Sequence, residues 1–259
     1  MKRLALSLVL VACHSVVAAD PGEPPIRPEP ITDAQPDAPA ALVDHAWLEP
    51  IGDDARELGQ VSVPLGATEP RPVILALHGA QDRAEWSCGE WRGVTAAYPF
   101  ILCPRGDASR LYYDAPKKTA SDIRLALDLL RNRYAPFVED GEPSVMVGFS
   151  MGAAEALALV VQTDLRVSAL ALVEGGYDSL ALAGVPSILR ARSVERVLLA
   201  CTTLGWCPAQ YAKAKPALEK AGITVRYVQA AAKTHGMYPE VTEALAHEMA
   251  FLTSRGPRP

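Results

Sequence analysis

Clusters of lysine and arginine are missing from this 259-residue sequence, whose formal net charge is −5. Because non-specific affinity for nucleic acids comes largely from clustered positive charge, we expect no DNA or RNA partner. The sequence also lacks an apolar run of the roughly 20 residues that a membrane-spanning helix needs. Hydrophobic residues make up 49% of the chain, too large a share for a disordered protein. The composition therefore predicts one large domain with a hydrophobic core.

Cysteine is scarce as well, and its count of five is odd. The first, Cys13, follows residues 1–3, which are Met-Lys-Arg, and residues 4–12, which are apolar apart from Ser7. A short basic start followed by such an apolar run is typical of an export signal. We therefore assign residues 1–19 to a signal peptide and expect an exported protein, periplasmic or attached to the cell envelope.

Two cleavage sites compete within this signal. The Leu-Val-Ala-Cys sequence of residues 10–13 resembles the lipobox of bacterial lipoproteins, and cleavage there would lipidate Cys13 and anchor the protein, for instance to an outer membrane. The Val-Ala-Ala sequence of residues 17–19 fits ordinary signal-peptidase cleavage before Asp20. We favour the lipobox, and either cleavage removes Cys13 from disulfide pairing.

A proline-rich linker follows over residues 20–50, which hold eight of the 22 prolines. This spacing of prolines excludes a helix or a central strand. Two interpretations remain, an extended tether that holds the next domain away from a membrane and a disordered leader. We favour the tether because it follows directly on the lipidation candidate.

Residues 51–259 alternate short apolar runs with segments of helical period. This order is typical of an α/β fold with a mainly parallel sheet flanked by helices. The predicted strands are 56–63 at the sheet edge, 73–77, 100–103, 144–149, 168–173, 196–200 and 224–229. The predicted helices are 86–98, a helix capped by Thr119 or Ser121 that ends at 134, then 150–162, 209–221 and 239–252. No connection is long enough to hold a helical cap domain.

The Gly-Phe-Ser-Met-Gly sequence of residues 148–152 lies between a predicted strand and a predicted helix. In that context a G-x-S-x-G motif predicts a sharp turn that exposes Ser150 to a base. The flanking glycines suit a strained turn with backbone close on both sides. The amide after Ser150 begins a helix, where partial positive charge favours a developing oxyanion.

GFSMGAAEALAL, together with VILALHGAQD and FILCPRGD, resembles the α/β-hydrolase superfamily, most of all its small lipase/carboxylesterase, dienelactone-hydrolase and phospholipase/carboxylesterase types. The resemblance covers roughly residues 56–255. It implies that Ser150 is a nucleophile and that the amides of Ala80 and Met151 form an oxyanion hole. It also implies that His78 shapes its loop rather than acting as a base.

The base and acid of such a site follow Ser150 in the chain order serine, acid, histidine. His235 is the expected base, because it lies between the last predicted strand and the last predicted helix. The usual acid position is empty, since residues 201–208 contain no carboxylate. Glu174 and Asp178 follow the strand after the nucleophile helix, and we prefer Glu174 because it lies directly at the strand end. Both could instead be surface carboxylates, which would leave a serine–histidine dyad or an inactive relative.

The remaining cysteines form two local couples, Cys88 with Cys103 and Cys201 with Cys207. An exported domain favours disulfides. Metal binding is the rival interpretation, but neither spacing matches a zinc site and no histidine accompanies the cysteines. We therefore predict two disulfides, no metal and no cofactor.

Together these features predict an exported serine hydrolase that cleaves small-molecule carboxylic esters through an acyl-enzyme. A serine peptidase or thioesterase is the alternative within the same chemistry. The empty acid position motivates a different alternative, a surface binding protein built on a catalytically impaired hydrolase fold.

Overall fold

The computed structural model describes residues 40–107, 109, 111–203 and 207–253. Cys13, the signal peptide and most of the proline-rich linker lie outside the described residues, so these predictions stay predictions. Within the described part, no helix combines the length and the apolar character that crossing a membrane requires.

One eight-stranded sheet organises the domain, in the order β1-β2-β4-β3-β5-β6-β7-β8. Its strands are β1 (Leu48–Gly52), β2 (Glu57–Ser62), β3 (Val73–Leu77), β4 (Phe100–Pro104), β5 (Val145–Phe149), β6 (Ala169–Val173), β7 (Arg196–Cys201) and β8 (Thr224–Gln229). The pairs β1–β2 and β2–β4 are antiparallel, and every other neighbouring pair is parallel. The carboxyl ends of the parallel strands therefore meet at one edge of the sheet.

Helices cover both faces of this sheet. They are α1 (Ala84–Val94), α2 (Pro116–Tyr134), α3 (Met151–Gln162), α4 (Tyr177–Leu180), α5 (Val185–Ala191), α6 (Cys207–Lys220) and α7 (Pro239–Thr253). Buried residues of α2 to α6 form one core cluster against the sheet, and those of α1 and α7 form the other. The central strands β3 to β7 are buried along their length apart from a half-buried Phe149, as expected of strands covered on both faces. The predicted α/β fold with a mainly parallel sheet is confirmed.

The sheet begins earlier than predicted. Strand β1 begins within the segment interpreted as linker, and it makes β2 an internal strand rather than the edge. Pro50 is tolerated because β1 is the edge strand, where a missing N–H leaves no ladder bond unmade. Leu42 is already buried against the core. The ordered domain thus extends to the N-terminal side of residue 51.

Two further details differ from the sequence predictions. Helix α2 begins at Pro116 rather than at a cap formed by Thr119 or Ser121, because proline suits the first turn, where its missing N–H has no partner to lose. The segment between β6 and β7 contains the short helices α4 and α5, which lack the length for a clear helical period.

Candidate active site

Ser150 lies in a sharp turn between β5 and α3. Its backbone has φ 53° and ψ −117°, a left-handed conformation that non-glycine residues rarely adopt. The Ser150 amide donates to the Val173 carbonyl of β6 at 2.8 Å, which ties the turn to the neighbouring strand. A Cβ atom at Gly152 would overlap the carbonyl oxygens of Leu77 and His78. The second glycine of the motif is therefore required by close backbone contact with the end of β3.

His235 reaches Ser150 from the segment between β8 and α7. Its Nε2 atom lies 2.9 Å from Ser150 Oγ. Its ring packs on Phe149, with 4.8 Å between ring centroids. The side chain is 42% exposed, so this edge of the site is open to solvent.

Glu174 directly follows β6 and contacts the other side of the His235 ring. Its Oε2 atom lies 3.0 Å from His235 Nδ1, and its side chain is completely buried. A carboxylate can only accept hydrogen bonds, so the proton between the two groups belongs to Nδ1. Nε2 is then left to accept the hydroxyl proton of Ser150. The three side chains thus form one hydrogen-bonded chain.

The backbone around Glu174 explains how this residue enters the site. Glu174 has φ 55°, and its amide donates to the Ala200 carbonyl of β7 at 2.9 Å. A Cβ atom at Gly175 would overlap the backbone carbonyl of Ser150. Gly176 has φ 75°, a conformation in which glycine carries no Cβ penalty. The segment therefore turns tightly against Ser150 as it leaves the sheet.

Asp178, the alternative acid, lies in the first turn of α4 and is exposed. The structure gives it no hydrogen bond to His235 among the described residues. Of the two carboxylates that the sequence offered, the structure brings Glu174 to the histidine. The loop after β7, which has no carboxylate, contributes a backbone donor instead, since the Thr202 amide donates to Glu174 Oε1. Sequence patterns gave no signal for Thr202, because any residue except proline carries such an amide.

The backbone amides of Ala80 and Met151, the predicted oxyanion hole, have no hydrogen bond to an acceptor among the described residues. Met151 is the first residue of α3, so its amide is at the positive end of that helix. Ala80 follows Gly79, at which a Cβ atom would lie 3.6 Å from the Cβ of Ser150. The role of Ala80 and Met151 as an oxyanion hole stays a prediction.

His78 is buried and does not contact Ser150. Its Nδ1 atom lies 2.8 Å from the Gly79 carbonyl, and its backbone amide donates to the Tyr113 hydroxyl at 2.6 Å. Burial lowers the pKa of His78, which keeps the ring neutral. These contacts agree with a loop-shaping residue. The other described histidines have no hydrogen bond to Ser150, since His45 pairs with Glu49 and His247 is exposed on α7.

Both predicted disulfides are present, Cys88–Cys103 and Cys201–Cys207. The atoms of Glu174, Cys201 and Cys207 form the one group of potential metal ligands in the described part of the chain. Because both sulfurs belong to a disulfide, they offer no thiolate to a metal. The group is explained instead by the disulfide lying next to the buried carboxylate.

The aromatic side chains near this edge divide into two sets. Trp91 and Tyr177 are core residues and cannot meet a substrate, whereas Trp86 and Tyr112 are exposed at 59% and 41%.

No protein-family model and no curated protein matches this chain. Solved structures do. Fluorophosphonate-binding serine hydrolase F of Staphylococcus aureus is 9% identical and covers 80% of this chain and 98% of its own, with a TM-score of 0.59. A dienelactone hydrolase of Anabaena variabilis is 18% identical, covers 83% of this chain and 97% of its own, and has a TM-score of 0.53.

A carboxylesterase of Bacillus cereus is 17% identical and covers 79% of this chain and 92% of its own, with a TM-score of 0.50. Identities this low establish a shared architecture rather than a shared substrate. The chain has the α/β-hydrolase fold.

Proposed function

We propose that this protein is a serine hydrolase that cleaves carboxylic esters. The observation that carries the proposal is the hydrogen-bonded chain from Ser150 Oγ through His235 to the buried Glu174. A serine hydroxyl is a weak nucleophile until a base takes its proton, and the base needs a group that fixes its tautomer. Each of these needs is met by one of the three side chains.

In the proposed reaction, Ser150 Oγ attacks the ester carbonyl while its proton passes to His235 Nε2. Negative charge then develops on the carbonyl oxygen, and the free amides of Ala80 and Met151 donate to it. Glu174 stabilises the positive imidazolium through Nδ1–H. His235 returns the proton to the departing alcohol, which leaves an acyl group on Ser150.

Water completes the cycle by attacking the acyl-enzyme, with His235 again taking a proton. The carboxylic acid leaves, and Ser150 regains its hydroxyl proton. Access of water and of small esters is supported by the exposure of His235 and by the shortness of α4, the helix that follows Glu174. A small-molecule ester is therefore the proposed substrate class. Because Glu174 contacts His235, the empty acid position no longer argues for an impaired binding protein.

The test uses the full chain produced by export, so that both disulfides form. We expect fluorophosphonate to label the wild type and Ser179→Ala, an exposed serine on α4, but not Ser150→Ala. Hydrolysis of p-nitrophenyl butyrate should follow the same pattern. Unlabelled wild-type protein, or labelling that persists in Ser150→Ala, would overturn the proposal.

The same preparation distinguishes ester cleavage from thioesterase and peptidase activity. A butyryl oxygen ester, a butyryl thioester and a butyryl anilide present one acyl group with three leaving groups. We expect the highest kcat/KM for the oxygen ester. A higher kcat/KM for the thioester or the anilide would reassign the substrate class and leave the nucleophile unchanged.

We also propose that the protein is exported, with residues 1–19 as signal and the proline-rich residues 20–39 as tether, because Leu42 and β1 belong to the folded domain. The sequence of the signal and the two disulfides support this, because disulfides persist in oxidising compartments. Cys13→Ser tests the lipid anchor. Loss of membrane association in this variant is expected for lipobox cleavage, and unchanged fractionation would favour cleavage before Asp20.

A further inference from the structure

The loop after β7 holds the carboxylate that orients His235. Glu174 Oε1 accepts from the Thr202 amide and Oε2 faces His235 Nδ1, and the structure gives this carboxylate no other hydrogen bond among the described residues. Thr202 itself is 1% exposed. Without the Thr202 amide, one oxygen of a fully buried carboxylate would lose its donor, and the carboxyl group could rotate away from the histidine.

The same loop also holds the segment that carries His235. The amide of Thr203 and its Oγ1 both donate to the Ala232 carbonyl, each at 2.9 Å. The Ala230 amide donates to the Cys201 carbonyl at 2.7 Å. Residues 201–203 therefore contact both the acid and the chain segment leading to the base.

The disulfide Cys201–Cys207 closes this loop at its two ends. Cys201 is the last residue of β7 and Cys207 is the first residue of α6, and both are buried. Its sulfur atoms lie within 4.8 Å of a Glu174 carboxylate oxygen and of one another. The disulfide thus lies next to the carboxylate that accepts from the Thr202 amide.

We propose that the Cys201–Cys207 disulfide is a positioning element of the active site, which acts by holding the Thr202 amide on Glu174. This inference rests on the proposed hydrolase function. A catalytic acid was expected in the loop after β7. The proposal gives this loop a different role, because it fixes Glu174, the acid that follows β6. The other disulfide, Cys88–Cys103, joins α1 to β4 and has no contact with Glu174 or His235, so it provides a matched control.

The test compares two double variants, Cys201→Ala/Cys207→Ala and Cys88→Ala/Cys103→Ala, in the full chain. The first should lower kcat for p-nitrophenyl butyrate by about 10- to 100-fold with KM within about twofold, because small displacements of catalytic groups cost this much. The rate of Ser150 labelling by fluorophosphonate should fall in parallel. The second variant should show a lower Tm and an unchanged kcat.

Epistasis with Glu174→Gln separates positioning from general destabilisation. If the disulfide acts through Glu174, removing Cys201 and Cys207 in a Glu174→Gln background should change the labelling rate by no more than about twofold. A 10- to 100-fold further loss in that background would overturn the proposal. Full activity of Cys201→Ala/Cys207→Ala in the Glu174 protein would overturn it as well.

A second variant keeps the test decisive where the cysteine variant does not fold. Thr202→Pro retains the disulfide and removes the amide N–H, and it should reproduce both the loss of kcat and its absence in the Glu174→Gln background. A folded Thr202→Pro protein with wild-type kcat would contradict the proposal. Failure of the wild type itself to label at Ser150 would instead refute the hydrolase function, which distinguishes the two results.

Discussion

Close backbone packing occurs at both edges of the sheet, since a Cβ atom at Gly59 in β2 would overlap the Cys103 carbonyl of β4. The two edges differ in what the tight backbone carries: at the carboxyl edge of the parallel strands it positions Ser150 and Glu174, whereas the antiparallel edge is joined to helix α2 by side chains. At the carboxyl edge, backbone packs directly on backbone. A Cβ atom at Gly152 would overlap the end of β3, and one at Gly175 would overlap the Ser150 carbonyl. Ser150 and Glu174, which lie between these contacts, both have positive φ.

At the antiparallel edge, side chains bridge β1 and the β1–β2 turn to helix α2. The Tyr134 hydroxyl donates to Glu49 Oε2 at 2.7 Å. Arg56 pairs with Asp122 through two hydrogen bonds, of 2.8 and 2.5 Å. Such contacts can lengthen or rotate without moving the backbone, so this edge can lose one of them and keep its shape.

The carboxyl edge therefore sets the geometry of the catalytic residues, and the antiparallel edge contributes to the free energy of unfolding. Substitutions at the carboxyl edge should change the rate of reaction, and substitutions at the antiparallel edge should change only the free energy of unfolding. The largest effect is expected where a reacting group itself loses its orienting partner.

Glu174→Gln should lower kcat for p-nitrophenyl butyrate by about 10³- to 10⁴-fold, because a glutamine at this position can favour the wrong tautomer of His235. Asp178→Asn is the matched control, since Asp178 is exposed and does not contact the histidine. It should stay within about twofold of the wild type. A large loss in Asp178→Asn with an active Glu174→Gln would reverse the assignment of the acid.

Gly175→Ala should displace the Ser150 carbonyl, because the added methyl group has no free space. We expect kcat to fall by about 10- to 100-fold and the free energy of unfolding to fall by about 1 to 3 kcal/mol. Gly93→Ala is the control, since nothing lies within 4 Å of a Cβ atom at that position in α1. Urea denaturation and ester hydrolysis measure both quantities, and a fully active Gly175→Ala would show that the turn has room to adjust.

Much of the site could be predicted from short sequence patterns. Gly148 and Gly152 identified the Ser150 turn because a Cβ atom at Gly148 would overlap the start of α3 and one at Gly152 would overlap the end of β3. Chain order was enough to select His235, since few histidines follow Ser150. Glu174 and Asp178 could not be separated with the same force, because both follow β6 within five residues. Only the tight turn at Gly175 and Gly176 decides which carboxylate faces the histidine.

Other parts of the structure carried no readable pattern. The role of the Thr202 amide could not be predicted, because every residue except proline has a backbone N–H donor. Strand β1 was missed because Pro50 argues against a strand unless its edge position is known. In both cases the missing information was tertiary, namely which neighbour a segment pairs with.

Glu155 lies one turn beyond Ser150 on α3, near the carboxyl edge of the sheet. It shows whether a buried carboxyl group near the site lowers the stability of the protein when it ionises. Its Oε1 atom is buried without a partner among the described residues, and burial raises the pKa of Glu155 from 4.5 to about 7. Between these values the unfolded chain ionises while the folded protein keeps the proton, so stability falls as pH rises from about 4.5 to about 7.

Glu155→Gln should remove this part of the pH dependence and stabilise the protein at pH values above about 7 by roughly 1 to 3 kcal/mol. Chemical denaturation between pH 5 and about 8 measures the effect. Glu142→Gln, at an exposed glutamate, should leave the profile unchanged. Equal pH profiles for Glu155→Gln and wild type would mean that the carboxylate reaches water.

The smallest effect is expected at the antiparallel edge, where Tyr134→Phe removes only the hydrogen bond to Glu49. The ring of Tyr134 is buried and packs beside Phe100, so phenylalanine keeps the apolar contacts. Losing a hydrogen bond to a carboxylate should lower the free energy of unfolding by about 1 to 2 kcal/mol. Because no backbone contact to the Ser150 turn changes, kcat for p-nitrophenyl butyrate should stay at the wild-type value.

Tyr98→Phe, at a tyrosine that is 52% exposed, is the control and should change neither quantity. A loss of kcat in Tyr134→Phe would mean that the two edges of the sheet are coupled through α2 rather than independent.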